Sequence, residues 1–350
     1  MFGRNRGPVS PGMPYISPMT ESSIPTRAPN ETPADDAIVP FSVESLDLRG
    51  RIVRLGPSLD DILSGHDYPR PISKLLGEAI VLTVLLGSSL KFDGRFILQT
   101  QADGPVRMLV VDFVSPGRVR ACARFDARDL EQAIALGRDS PGELLGTGHL
   151  AMTIDQGPGM NRYQGMVALT GGSLEDAAHE YFLRSEQIPT RVRHAVAEEY
   201  NAAGGPRPHW RAGGLMVQFL PATTERMRAP DLHPGDAPEG TGAHDLPEDE
   251  AWVEARSLVA TAQDLELIDP GLSSERLLYR LFHEHGVRVF RPVDVESKCT
   301  CSREGVQTML RSFPQDDRDH MVENGMISVT CEFCTSNYLF DPAEVADAAE

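Results

Sequence analysis

The chain has 350 residues, 41% of them hydrophobic, enough to bury a core and to suggest about two domains. Its 51 acidic against 33 basic residues give a formal net charge of −18, a field that repels phosphate backbones and argues against a nucleic-acid partner. With 31 glycines, 27 prolines and only 6% aromatic residues, loops and linkers take a generous share.

Residues 1–37 are rich in Pro, Ser, Thr and Gly without periodicity and read as a disordered tail. "IVPFSVESLDLRGRIVRLG" alternates as a strand, and "SLDDILSG" is a short helix capped by Ser58. Residues 71–90 (PISKLLGEAIVLTVLLGSSL) predict a long helix, apolar nearly all round and therefore buried. Gly77 and Gly87 inside it cost about 1 kcal/mol each in helix propensity, which implies close packing against another element. The period then changes. "GRFILQTQ", "VRMLVVDFV" and "RVRACARFD", parted by "ADGP" and "SPG", form an antiparallel meander. "HLAMTIDQ" and "YQGMVALTG" repeat the hairpin theme, "SLEDAAHEYFLRSEQ" is helical, and "GGLMVQFLPA" is a further strand. Residues 38–222 thus read as one α+β domain of antiparallel strands packed with helices.

Residues 223–250 are acidic and Pro/Gly-rich, a flexible insertion. Helices follow over 251–286, the second carrying the stripe Leu277, Leu278, Leu281 and Phe282. The most apolar run, AIVLTVLL at 79–86, is too short to span a bilayer, and the N-terminus lacks the apolar stretch of a signal peptide. A cytoplasmic protein with reduced thiols and no membrane partner is expected.

Several candidate sites have bland readings. "GTGHLA" at 146–151 partly mimics a dinucleotide fingerprint, but strand-like residues follow where a helix is needed. His283 and His285 are two apart on a helix and face different ways. His66 and Asp67 in "GHDYP" read as a turn, and Cys122 reads as a small buried hydrophobe in a strand.

Four of the five cysteines crowd the C-terminus: Cys299 and Cys301 as CxC, Cys331 and Cys334 as CxxC. Four thiolates suit tetrahedral Zn²⁺, one ion per chain. Between the pairs, Ser302 caps a helix striped by Val306, Met309, Leu310 and Phe313. Asn324-Gly325 turns, "MISVT" leads a strand into Cys331, and "YLF" returns. Residues 287–350 therefore make a zinc domain with too little core to stand without metal. The same sulfurs, held as thiolates, are open to oxidation. A purely structural zinc site remains the alternative. A nucleic-acid-binding ribbon is disfavoured, because residues 299–350 hold three Arg and no Lys against ten Asp plus Glu, a net of −7. A disulfide reductase would set its CxxC at a helix N-terminus, whereas a strand follows here.

The segment "DVESKCTCSREGVQTML…CEFCTSNYLFDP" (294–342) resembles the heat shock protein 33 family of redox-regulated holdase chaperones. So do "HDYPRPISKLLGEAIVLTVLLGSSLKFDGRFILQTQADGPVRMLVVD", "RYQGMVAL" and "EYFLRSEQIPTRV", so that most of 42–342 is covered. The resemblance implies a helical linker (251–286) over an α+β core, with zinc on the four cysteines in an inactive reduced state. Oxidation would form Cys299–Cys301 and Cys331–Cys334 disulfides, release zinc, destabilise the linker and expose surface for unfolded client proteins. It also implies a homodimer when oxidised, no use of ATP and no enzyme activity. The N-terminal extension, the longer acidic stretch and the extra Cys122 depart from the family pattern.

Overall fold

The structure, a computed structural model, describes residues 35–90, 94–157, 160, 162–183, 188–200, 207–220 and 249–346. The expected tail (1–37) and acidic insertion (223–250) lie outside these apart from their last few residues. In chain order the elements are β1 (Ala37–Val43), β2 (Leu48–Leu55), α1 (Pro57–Ser64), α2 (Arg70–Ser89), β3 (Arg95–Ala102), β4 (Val106–Val114) and β5 (Arg118–Phe125). There follow α3 (Ala127–Ala135), α4 (Pro141–Leu145), β6 (Thr147–Asp155), β7 (Tyr163–Thr170), α5 (Leu174–Tyr181), β8 (Thr190–Glu199) and β9 (His209–Phe219). Next come α6 (Glu250–Ala260), α7 (Asp264–Ile268), α8 (Ser274–Phe282), β10 (Arg288–Val289), β11 (Val293–Asp294) and β12 (Glu296–Ser297). The C-terminal part holds α9 (Arg303–Arg311), α10 (Gln315–His320), β13 (Val322–Glu323), β14 (Met326–Thr330) and β15 (Asn337–Phe340).

The fold is α+β, as expected. Sheet A runs β10-β1-β2-β9-β8, with β11 also on β1; sheet B runs β12-β5-β4-β3-β6-β7; sheet C is β13-β14-β15. The meander is β3-β4-β5 and the second hairpin is β6-β7, both antiparallel. The stretch read as one strand is the hairpin β1-β2, broken where Asp47 takes a left-handed φ of 52°. Ser58 does not cap α1. Pro57 already occupies the first turn, Gly56 is the N-cap, and the Ser58 backbone N–H donates to Asp36 at 2.9 Å.

α2 lies between the two large sheets, packed on β2, β8 and β9 of one and β3, β4 and β5 of the other. That position explains why its sequence is apolar on every side. It is long and apolar enough to cross a membrane, but 83% of that window is buried inside the protein. A Cβ on Gly77 would stand 2.9 Å from Val196, and one on Gly87 would stand 2.6 Å from Phe113, so both glycines admit a neighbouring side chain.

Sheet A is buried on both faces. Ile38, Val53, Val192 and Met216 face the α2 core, while Phe41, Ile52, Leu215, Val217 and Phe219 form a second core. This second core is closed by α6, α7 and α8 through Trp252, Val259, Leu267, Leu277, Leu281 and Phe282. Removing these three helices would uncover the outer face of sheet A.

The chain then ties both sheets together. β10 and β11 pair with β1 of sheet A, and β12 pairs in parallel with β5 of sheet B, delivering Cys299 beside β5. Beyond it, among the described residues, a small core of Leu310, Ile327, Phe340 and Val345 is fully closed. Ser302 caps α9 by accepting from the Gly305 N–H at 3.0 Å. α9 ends at Arg311, so Phe313 of the expected stripe falls beyond it; Leu310 is buried, while Met309 and Phe313 stay exposed.

Candidate metal centre

The Sγ atoms of Cys299, Cys301, Cys331 and Cys334 all lie within 4.8 Å of one another. Cys299 approaches Cys331 at 3.7 Å and Cys301 approaches Cys334 at 3.4 Å, so the nearest sulfurs join the two segments. A tetrahedron with metal–sulfur bonds near 2.3 Å has edges of about 3.8 Å, which these separations fit. No described carboxylate or imidazole joins the cluster. Four sulfur donors and no oxygen suit a soft tetrahedral cation.

The local backbone builds the cluster. After β14 ends at Thr330, the Cys331 N–H donates to the Ser336 carbonyl at 2.9 Å and the Thr335 N–H to the Cys331 carbonyl at 2.8 Å. Thr335 takes a left-handed φ of 57° to close this knuckle. The Asn324-Gly325 turn before β14, with φ of 51° and 81°, reverses the chain as the sequence predicts.

The electrostatics call for a cation. Burial and then the crowding of neighbouring thiols push Cys301 up to about 12, although Tyr338 O–H donates to its sulfur at 3.2 Å. Burial and the same crowding raise Cys331, against hydrogen bonds from the Phe333 and Cys334 amides. Cys334 moves the other way. Burial raises it, but hydrogen bonding with Ser336 and Cys301 outweighs that and brings it down to about 7. Cys301 and Cys331 are thus held towards the protonated form and Cys334 towards the thiolate; a divalent ion would let all four ionise together.

The module is seated on sheet B and the loop after α1. Arg120 donates to Cys299 Sγ at 3.7 Å, lies 4.1 Å over the Phe333 ring, and is anchored on buried Asp112 at 2.6 Å. Arg124 pairs with Glu332 at 2.7 Å. Thr335 Oγ1 donates to the Gly65 carbonyl at 3.1 Å, and His66 Nε2 meets the Phe333 carbonyl at 3.1 Å. His66 in turn stacks on Tyr68 at 4.6 Å, whose hydroxyl donates to the Ala123 carbonyl of β5 at 3.2 Å.

The structure brings the four predicted cysteines together. Cys122 is buried, as read. His283 and His285 do not share a site; His285 meets Glu254 at 3.0 Å. Thr147 opens strand β6, so the "GTGHLA" stretch starts no helix. The turn reading of "GHDYP" overlooked His66 as a seat for the module, and Arg120, Arg124 and Tyr338 were overlooked altogether. The alternation of arginines in "RVRACARFD" was the available signal, since it sets Arg120 and Arg124 on one face of β5.

These features define a class: a two-sheet α+β protein with helices laid over one sheet and a small C-terminal module built round four thiols. The profile described as Hsp33 protein matches residues 36–341. A 33 kDa chaperonin of Caulobacter vibrioides is 42% identical over 318 residues, covering 90% of this chain and 98% of the relative. One of Pseudomonas aeruginosa is 36% identical over 309 residues, covering 87% and 92%. The crystal structure of a 33 kDa chaperonin from Thermotoga maritima superposes with a TM-score of 0.67 at 19% identity, covering 89% of this chain and 96% of that one, a likeness of fold. The chain belongs to the Hsp33 family of chaperones, which is not a class of enzymes.

Proposed function

We propose that the chain is a redox-gated, ATP-independent holdase, inactive while Cys299, Cys301, Cys331 and Cys334 hold one Zn²⁺ and active once they are oxidised. The observation that carries this reading is the four-sulfur cluster in a module whose core, among the described residues, closes four side chains. Zinc, when bound, supplies the charge that keeps the sulfurs as thiolates, and structural sites of this kind contribute about 10–16 kcal/mol to small folds. The chain's own residues then do the rest. Cys299 and Cys301 bond to each other, as do Cys331 and Cys334. For each pair one S–S bond forms from two thiolates while the O–O bond of hydrogen peroxide breaks, and its two oxygens, with two protons already on the peroxide and two taken from solvent, leave as two waters.

Local pairing matters physically. Disulfides within each pair untie the CxC segment from the CxxC knuckle, whereas Cys299–Cys331 and Cys301–Cys334 bonds would staple them. Untied, the module no longer presents Phe333, Glu332 and Thr335 as a set to Arg120, Arg124 and Gly65. The linker reading (251–286) and the zinc-domain reading (287–350) meet here, because β10 to β12 join α8 to Cys299. Release of α6 to α8 exposes the apolar outer face of sheet A to unfolded or aggregation-prone clients. The oxidised form is a homodimer, the protein works in the reducing cytoplasm, and its net charge of −18 leaves nucleic acid and membrane outside its partners.

Metal content with disulfide mapping tests the site. Purified under reductant, the chain carries about one zinc. After peroxide, mass spectrometry finds 299–301 and 331–334 linked and the zinc gone. Zinc retained through peroxide treatment with all four thiols still free, or cross-segment disulfides, would make the site a structural clip.

A further inference from the structure

A second grip holds the linker helices to sheet A, and no cysteine takes part in it. α7 lies on β8 and β9 with Leu267 buried. At the C-terminal end of a helix the last carbonyls lack intrahelical partners and carry the negative pole. Here two core arginines take them. Arg54 of β2 donates through Nη2 to the Glu266 carbonyl at 2.8 Å and through Nη1 to the Asp269 carbonyl at 2.9 Å. Arg211 of β9 donates through Nε to the Ile268 carbonyl at 3.1 Å.

The two arginines differ in what else they have. Arg211 forms a two-pronged pair with Asp35 at 2.7 and 2.6 Å. Arg54 is 1% exposed, its Nε finds no acceptor, and among the described residues no carboxylate lies within ion-pair distance of it. Its hydrogen bonds go to linker carbonyls, with the carboxylates of Asp35, Asp269 and Glu275 acting on its charge from farther off. Without α7 two of its donors would be stranded in the sheet, which is costly for a buried guanidinium. Gly213 of β9 lets the linker come this close: a Cβ there would stand 1.9 Å from the Leu267 carbonyl oxygen, a contact with backbone that no rotamer change relieves. At the other end of α7, Arg193 of β8 pairs with Asp264 at 2.8 Å.

We propose that Arg54, Arg211 and Gly213 form a latch on the C-terminal carbonyls of α7 that sets how readily the linker leaves sheet A, separately from the metal. The latch rests on the reading that the linker covers the client surface. It makes release a two-key event: loss of the zinc module frees one end of the linker, and the arginines hold the middle until their bonds to α7 break.

The experiment uses full-length, zinc-loaded, reduced protein and two variants. Arg54→Met removes the donors and keeps side-chain length; Gly213→Ala wedges the contact without touching a charge. Hydrogen exchange is followed across 250–282 and across β3 and β4 as a control, with zinc content and aggregation suppression measured on the same samples. The latch predicts exchange in 264–269 faster by about tenfold or more in both variants, with β3, β4 and zinc unchanged. It also predicts holdase activity at a lower oxidant dose. Should Arg54→Met fail to fold, Gly213→Ala decides alone. Linker exchange unchanged in the folded variants, or accelerated equally with β3 and β4, overturns the latch. Linker exchange accelerated without gain of holdase activity upholds the latch and instead removes the outer face of sheet A as the client surface.

Discussion

Arg120 is the residue where the two halves of the account meet. Its guanidinium is fixed by Asp112, which is 3% exposed, and it reaches both Cys299 and the Phe333 ring. The neighbouring Arg124–Glu332 pair is more than half exposed on both sides, so solvent screens it and it contributes little. Arg120 is the stronger seat. Arg120→Met is expected to weaken module docking by about 1–3 kcal/mol, read as faster hydrogen exchange across 299–340 with zinc still bound. Cys122 gives a reporter. It lies between Arg120 and Arg124 on the face of β5 turned from Ala121 and Ala123, which belong to the α2 core. Burial, with Glu332 adding to it, pushes its thiol up to about 11. In zinc-loaded protein Cys122 should resist maleimide, and it should label once the module leaves; mass-spectrometric mapping of the labelled site checks this. The four cysteines were legible because metal spacing is a local signal. Arg120, His66 and Arg54 were not, because their partners stand far along the chain: Phe333, Glu266 and Asp269.

Among the elements, α2 was the most legible and carries one of the protein's pH-dependent groups. It is apolar on all sides, yet it holds Glu78, 7% exposed. Burial lifts this carboxyl to about 7, with Lys74 opposing and Glu175 and Asp264 adding to the rise. Folded Glu78 therefore keeps a proton that the unfolded chain releases above about pH 4.3, so its contribution falls as pH rises towards 7. His194 slopes the other way. Burial, then Arg193, lowers it from 6.5 to about 4, so its contribution is lost as pH falls through that window. Glu78→Gln should leave denaturant midpoints near wild type at pH 5 and raise stability by about 3 kcal/mol at pH 8. Equal differences at both pH values would contradict the placement of Glu78. The meander and hairpins were also legible from alternation and turn residues. The division into two sheets was not, because β2 pairs with β9 and β3 with β6 across long stretches whose register the local pattern does not encode.

At the scale of the whole molecule, the proposed function would follow from unequal stability. The two-sheet body is closed by a continuous core round α2, whereas the core of the C-terminal module closes four apolar side chains among the described residues. Between them, α6 to α8 shield an apolar sheet face that a chaperone can use. That the four C-terminal cysteines come together was legible from their spacing. That the linker lies on sheet A, held by Arg54 and Arg211, was not, because those arginines look like ordinary surface charges in a strand pattern. The central claim is that sulfur oxidation, zinc loss and client binding are one event. It is tested most directly by treating reduced, zinc-loaded protein with peroxide at raised temperature while a colorimetric chelator follows zinc and light scattering follows aggregation of a denatured client. The account predicts that about one zinc per chain leaves in step with the appearance of aggregation suppression, and that a thiol reductant with added zinc reverses both. Zinc that leaves with no gain of suppression, or suppression that appears with zinc still bound, would contradict it.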